Sequence, residues 1–403
     1  MTNGPTAQER AMRVREVLLR ALSGELTWVQ AAEICGYTTR TMRRWRWRLE
    51  HGGPSRLFDR RRRPSPRRIP GRVVRKIVRL YRARYQGFNV RHFHAVLRRD
   101  HDIELSYTFV RLALQEAGLV KKHRPRGRHR LRREPRRCFG EMIHLDGSPH
   151  PWLALCPDQR PTLITVVDDA TRRLLYAQLA PAESAEAVFA ALHAVVGHHG
   201  LPMALYTDRA SWAVHTPERG QPPDRFHLTQ IGRALQRLGI QHILAFSPQA
   251  RGRSERANRT LQGRLVNELR VAQIRSLEGA NRYLRDRFIA AYNEEFAVPP
   301  ADHVSAFVTA AGTDLDQILC FEDARVVGKD NVVQWEGHAL QLPKQPGRAS
   351  AAGLPVLVRR HLDHSFSVWC GPRCLARFDS TNALIQSSTA ARRRPKKLAV
   401  HAA

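Results

Sequence analysis

Three carboxylates stand where a folded chain could bring them to one phosphodiester: Asp146 closing the apolar run MIHLD, Asp208 closing ALYTD, and Glu255 within SPQARGRSERANRT, residues 247–260. Apolar strands project a terminal acid out of the core at a fixed height, so adjacent strands can present two carboxylates to a shared ion. Glu255 falls in the first turn of the helical pattern GRSERANRTLQGRLVNELR, where the helix dipole favours an ionised acid. Three such oxygen donors can hold two divalent cations, Mg²⁺ or Mn²⁺, astride a phosphodiester. One ion activates the attacking oxygen and the other stabilises the leaving oxygen. Arg251, Arg253, Arg256 and Arg259 surround Glu255 and can hold phosphates by charge-assisted contacts, with Gln249 and Asn258 as further DNA contacts.

Each of these residues also has a plainer reading. Taken singly, Asp146 or Asp208 can cap a helix or shape a turn. Glu255 can bridge Arg251 or Arg259 on a helix surface, an interaction worth only about 0.2–0.5 kcal/mol. Glu218 and Asp224 are rival acids, but they sit in a Pro- and Gly-rich stretch that mounts a metal ligand poorly. Asp168 and Asp169 fall at the turn of the hairpin VVDDATRRLLYAQL, and His144 shares the strand face of Asp146. Trp212 can stack on a base or fill a core. His361-x2-His364-x5-Cys370-x3-Cys374 has the residue types of a zinc site, yet VWCGPRCLARF reads better as a hairpin turning at Gly371-Pro372.

The elements that must position these groups follow from periodicity. EMIHLD, LITVVDD and RLLYAQLA read as three mainly antiparallel strands, followed by the helix SAEAVFAALHAVVGHHG and the strand MALYTD. LTQIGRALQRLG, IQHILAF and the Glu255 helix complete a mixed sheet with helices on both sides. Ahead of it, TWVQAAEICGYTTRTMRRWRWRLEHGG has the form helix, Gly36-containing turn, helix, with Thr38 or Thr39 as cap. Its second helix carries Arg40, Arg43, Arg44, Trp45, Arg46, Trp47 and Arg48, suited to phosphates and base edges in a major groove. A solvated basic face on a helical hairpin is the alternative. A second helical group, its last helix opening after Ser106 and ending near Gly118, follows the Pro-broken basic stretch FDRRRRPSPRRIPG.

These patterns make a multidomain α and α/β chain. The boundaries read as a helix-turn-helix domain at 1–57, a basic linker at 58–70, a second helix-turn-helix domain at 71–120 and a linker at 121–139. A catalytic domain at 140–310, a small β-barrel at 320–378 and a basic tail at 379–403 complete the division. Lys and Arg number 67 against 36 Asp and Glu, a formal net charge of +31 spread along the chain, which favours a polyanionic partner touched at several places. Nucleic acid fits better than a membrane surface: no apolar window reaches transmembrane length, and MTNGPTAQER lacks the apolar centre of a secretory signal. Six cysteines without framework spacing fit a reducing compartment, so a cytoplasmic, nucleoid-associated protein is expected.

HLDGS (144–148), VVDDATR (166–172), GLPMALYTDRAS (200–211) and SPQARGRSERANRTLQ (247–262) together resemble the DDE transposases of bacterial insertion sequences, over about residues 140–310. These enzymes share an RNase H-like core with retroviral integrases. The resemblance implies a triad of Asp146, Asp208 and Glu255 binding two Mg²⁺ ions, hydrolysis at the ends of the element, and transfer of the 3′-hydroxyl into target DNA. It also implies helix-turn-helix units that recognise terminal inverted repeats in double-stranded DNA, a C-terminal β-barrel, and a homodimer or higher oligomer in synapsis. Two departures stand out: the Asp208–Glu255 interval exceeds the retroviral spacing, and the integrases' N-terminal zinc ligands are missing. A DNA-binding regulator derived from a transposase, without catalysis, and a nuclease of the same fold that does not join strands are the alternatives.

Overall fold

The structure is a computed structural model describing residues 5–57, 69–121, 134–215, 227–245 and 252–385. The chain divides into two compact units, Met1–Ile77 and Val78–Ala403.

In the first unit, α1 (Pro5–Leu22), α2 (Trp28–Cys35) and α3 (Thr39–Gly52) enclose a core of Val14, Val17, Leu18, Ala31, Ala32 and Met42. Helix α2 starts at a capping box: Thr27 N donates to Gln30 Oε1 at 2.9 Å and Gln30 N donates to Thr27 Oγ1 at 3.3 Å. Gly36 ends α2 at φ 69°, a left-handed turn that a residue with Cβ adopts only with strain, and Thr38 caps α3. The helix–turn–helix reading of this segment therefore holds, with Thr38 rather than Thr39 at the cap.

Helix α4 (Gly71–Ala83) crosses the boundary between the units. The second unit then continues with α5 (Val90–His101), capped by Asn89, and α6 (Tyr107–Glu116), capped by Ser106 as expected. Next come β1 (Ile143–Pro149), β2 (Thr162–Asp168), β3 (Leu174–Ala180), α7 (Ala185–His199), β4 (Ala204–Thr207), α8 (Gln230–Arg237), β5 (Gln241–Leu244) and the long α9 (Gly252–Val271). Helices α10 (Leu277–Tyr283) and α11 (Ile289–Phe296) follow, joined by a π-helical turn. The sheet order is β3-β2-β1-β4-β5, with β1–β2 and β2–β3 antiparallel and β1–β4 and β4–β5 parallel, the mixed sheet that the patterns predict.

Strand alternation distributes the chemistry. Ile143 and Leu145 point to one face, where they pack with Val188, Phe189 and Leu192 of α7 and Ile231 and Leu235 of α8. The other face is covered by Leu261 and Leu265 of α9 and by Leu284 and Phe288. His144, Asp146 and Ser148 alternate with those apolar residues, so β1 turns a buried polar edge toward α9.

The C-terminal strands are β6 (Phe321–Val326), β7 (Val332–Trp335), β8 (His338–Gln341), β9 (Pro355–Arg360), β10 (Phe366–Cys370) and β11 (Arg373–Phe378). They form a four-stranded sheet, β11-β10-β9-β6, and a β7–β8 hairpin over a shared core that includes Val333, Leu340, Val358 and Phe378, where a small β-barrel was expected. Pro343 and Pro346 lie two and five residues past the end of β8, and a residue without an N–H cannot extend a ladder to a neighbouring strand. The β10–β11 hairpin turns at Gly371-Pro372, and both ring nitrogens of His361 are engaged, Nδ1 with the Asp316 carbonyl at 2.9 Å and Nε2 with Ser367 Oγ at 2.8 Å. No helix among the described residues is long and apolar enough to cross a membrane.

Candidate active site and DNA-binding helix

Asp146 does not close its strand. Strand β1 continues through Pro149, because antiparallel pairing with β2 persists from Ile143↔Asp168 to Pro149↔Thr162. Pairing with β4 covers only Ile143↔Leu205 and His144↔Tyr206, so among the described residues the far half of β1 has no ladder partner on that side, where proline is tolerated. Asp208 does follow the last residue of its strand, Thr207. Asp146 and Asp208 each stand three residues beyond the paired Ile143 and Leu205, on neighbouring parallel strands.

Asp146 is 5% exposed, and burial of a carboxylate is costly without hydrogen-bond partners. Asn258 on α9 donates from Nδ2 to Asp146 Oδ2 at 2.8 Å, and Gln262 donates from Nε2 to Ser148 Oγ at 3.1 Å. Four helical residues advance about 6 Å and two strand residues about 6.6 Å, so α9 and β1 run in step. Asn258, expected as a DNA contact, therefore turns inward onto the first acid. Its Oδ1 is buried with no hydrogen-bond partner among the described residues. Asp208 is partly buried, and its Oδ1 accepts from Ala210 N at 3.0 Å.

Glu255 lies in the first turn of α9, one turn ahead of Asn258 on the same face, and is exposed. Among the described residues it forms no ion pair, so the helix bridge to Arg259 is not made. Arg256 and Arg259 are exposed beside it. Gln249, Arg251, Glu218 and Asp224 lie outside the described residues, as does the side chain of Arg253. No group of three His, Cys, Asp or Glu among the described residues is gathered closely enough to hold an ion.

The hairpin acids are structural, as their position at a turn indicates. Asp168 Oδ2 accepts from Thr171 N and Oγ1, both at 2.7 Å, and its Oδ1 accepts from Gly140 N at 2.9 Å. Burial pushes its carboxyl upward against those hydrogen bonds. Asp169 Oδ1 lies 2.8 Å from His144 Nε2, while the buried Nδ1 of that strand histidine has no hydrogen-bond partner among the described residues. Trp212 is 8% exposed within the α7-side core and donates from Nε1 to Glu183 Oε1 at 2.8 Å, the core role rather than the stacking one. Glu183 was not singled out from the sequence. Its carboxylate fills the space where a Cβ on Gly147 would stand, at 2.2 Å, which explains a glycine inside a paired strand.

In the first unit, Arg40, Arg43, Arg44 and Trp47 fall on one exposed face of α3 at spacings of three and four. Met42, Trp45 and Leu49 fall on the opposite face, against the core. Trp45, expected at DNA, is therefore half-buried and packs on Tyr37 with ring centroids 4.8 Å apart, while Trp47 is 54% exposed. Arg46 is exposed but paired with Glu50 at 2.7 Å.

A family model described as "Helix-turn-helix domain" matches residues 15–65, which places the first unit in a class of DNA-binding modules. Over most of its length the chain resembles the Sinorhizobium fredii (strain NBRC 101917 / NGR234) protein y4bF, which carries a transposase name. Identity is 33% over 370 residues, 90% of this chain and 79% of the relative. The transposase for insertion sequence IS1202 of Streptococcus pneumoniae is 30% identical over 317 residues, 70% of this chain and 66% of that one. The chain belongs to the insertion-sequence transposases. A chain of a simian T-cell lymphotropic virus intasome overlaps 70% of this chain and 91% of its own length at TM-score 0.31 and 15% identity, too slight an overlap to bear on the site.

Proposed function

We propose that the chain binds the terminal inverted repeats of its insertion sequence, cleaves the DNA at the element ends and joins the 3′-hydroxyl to target DNA by two-metal phosphoryl transfer. The observation that supports this reading is that β1 and β4 are parallel neighbours with Asp146 and Asp208 each three residues beyond the paired Ile143 and Leu205, while Asn258 ties Asp146 to the helix that bears Glu255. The donor set fits hard cations, since all three acids offer only oxygen and the Asp146 carboxylate is buried yet hydrogen-bonded. Mg²⁺ or Mn²⁺ held by Asp146, Asp208 and Glu255 would polarise the scissile phosphate and stabilise the attacking and leaving oxygens.

The chain's own residues do the rest. Asn258 orients Asp146, and Gln262 on Ser148 keeps α9 in step with β1. The exposed first turn of α9 leaves Glu255 free to close on the two strand acids, with Arg256 and Arg259 placed for substrate phosphates. The α3 face of Arg40, Arg43, Arg44 and Trp47 reads the repeat, with phosphate contacts setting register and base-edge contacts setting sequence. Two copies engage two ends, so a dimer or larger assembly forms in synapsis.

The test is incubation of the full chain with a terminal-repeat duplex, taken from the DNA flanking its coding sequence, and a target plasmid, with Mg²⁺ or with EDTA. Cleaved ends joined to plasmid only with Mg²⁺ support the proposal. Binding with both strands intact indicates a transposase-derived regulator, and cleavage without joined product indicates a nuclease.

A further inference from the structure

Helix α9 carries a second carboxylate that the candidate site does not use. Glu268, thirteen residues beyond Glu255, has a side chain only 9% exposed. Its Oε1 lies 2.8 Å from His92 Nε2 on α5 and 3.5 Å from Arg99 Nη1, and its Oε2 accepts from the Tyr283 hydroxyl. His92 is 1% exposed and stacked on Phe88 at 4.2 Å, and its Nδ1 has no hydrogen-bond partner among the described residues, so Nε2 carries the proton given to Glu268. Arg270 donates to the Gln86 carbonyl at 2.6 Å and Asn267 to the Gly87 carbonyl at 3.4 Å, which ties the same edge of α9 to the loop ahead of α5. A cavity of about 220 Å³ opens beside this seam, lined by Arg84, Tyr85, Arg99, Glu268, Tyr283 and Arg287.

An exposed surface of the α5–α6 pair has the composition of a nucleic-acid contact. Tyr107, 38% exposed at the start of α6, lies between Arg91 at 6.0 Å and Arg111 at 5.9 Å, and both arginines are exposed. A buried carboxylate keeps its partners or loses them together, so the contacts of Glu268 fix where α9 lies against α5. The helix is a rod of about 30 Å, and a change of seating at Glu268 is carried to its first turn.

Resting on the transposase reading above, the geometry points to Glu268 as a positioning residue. DNA engaged by Arg91, Tyr107 and Arg111 sets the seating of α9 through His92 and Glu268, and thereby the approach of Glu255 and Asn258 to Asp146.

The test measures hydrogen exchange across α6 and α9 of the full chain, with and without the terminal-repeat duplex, together with duplex affinity and Mg²⁺-dependent cleavage. In the wild type the duplex slows exchange in both α6 and the first two turns of α9. In Glu268→Gln the α6 response and an affinity within about twofold persist, the α9 response disappears, and cleavage slows about tenfold. Tyr283→Phe, which removes one hydrogen bond, moves both readouts the same way with about a threefold effect on cleavage, and it decides the matter if Glu268→Gln fails to fold. Folded variants that keep the α9 response and full cleavage overturn the proposal, as does a wild type whose α9 ignores the duplex. A wild type that shows the α9 response yet never cleaves leaves the seam standing and removes the transposase reading instead.

Discussion

In its C-terminal half α9 gives a buried carboxylate, Glu268, to His92, Tyr283 and Arg99, whereas at its first turn the carboxylate of Glu255 is exposed and makes no ion pair among the described residues. Between them Arg264 anchors the helix through a two-pronged pair with Glu295. One helix thus holds an acid whose partners are complete and an acid whose partners must come from elsewhere. The first kind supports the fold. The second kind, standing one turn from an Asn that binds the buried Asp146, is what a metal-dependent site needs before its ions and substrate arrive.

The comparison breaks most sharply at Asp146. Asp146→Asn keeps the shape and the contact with Asn258 but removes the charge. End cleavage is expected to fall on the order of 10⁴-fold while duplex binding, measured by gel shift, stays within about twofold.

At the other end of the helix the effect belongs to stability. Glu268→Ala is expected to cost about 3 kcal/mol in a denaturant titration, because it strips a buried network of its acceptor. The same acid makes the fold sensitive to low pH. Burial pushes its carboxyl up, but the hydrogen bonds from His92 and Tyr283 and the nearby charge of Arg99 outweigh it and hold the group at about 2, against an ordinary 4.5. A depressed folded-state value contributes stability that is present above pH 4.5 and is lost as pH falls toward 2, on the order of 3 kcal/mol in total. Burial also holds His92 below its ordinary 6.5, so protons taken up by the unfolded chain below that pH act in the same direction. Melting at stepped pH checks both. Glu268→Ala should flatten the steep limb below pH 4.5, and an unchanged limb would mean that other acids carry it.

Much of this contrast was legible in the chain. The apolar runs located β1 and β4 with Asp146 and Asp208, and the helical pattern after the last core strand located the start of α9 with Glu255. The extent of β1 was not legible, because Gly147 and Pro149 are ordinarily strand breakers. Only the fold reveals that Glu183 occupies the space over Gly147 and that Pro149 sits at an edge. Asn258 had a usable signal, since a residue three beyond Glu255 shares its helix face, and the density of arginines around it obscured that. Trp45 and Trp47, two residues apart, differ by about 200° around α3, enough to send one to the core and the other to solvent. His92 and Glu268 are 176 residues apart, and no local pattern joins them.

Smaller effects sharpen the picture. Asn258→Ala leaves Asp146 in place but unoriented, and cleavage should fall about 10- to 100-fold with wild-type duplex affinity. Arg43→Ala on the exposed face of α3 should leave cleavage of bound ends intact. It should weaken duplex binding and lower the slope of log affinity against log salt by about 1 if the side chain meets a phosphate. A wild-type salt slope would take Arg43 off the DNA.

The most direct measurement is Glu255→Gln, assayed in parallel for binding of the terminal-repeat duplex and for its Mg²⁺-dependent cleavage. Retained binding with cleavage reduced to background is the predicted result, since Gln keeps the size of the side chain and removes the anionic ligand. Undiminished cleavage would take Glu255 out of the site and leave Asp146 and Asp208 without their third acid.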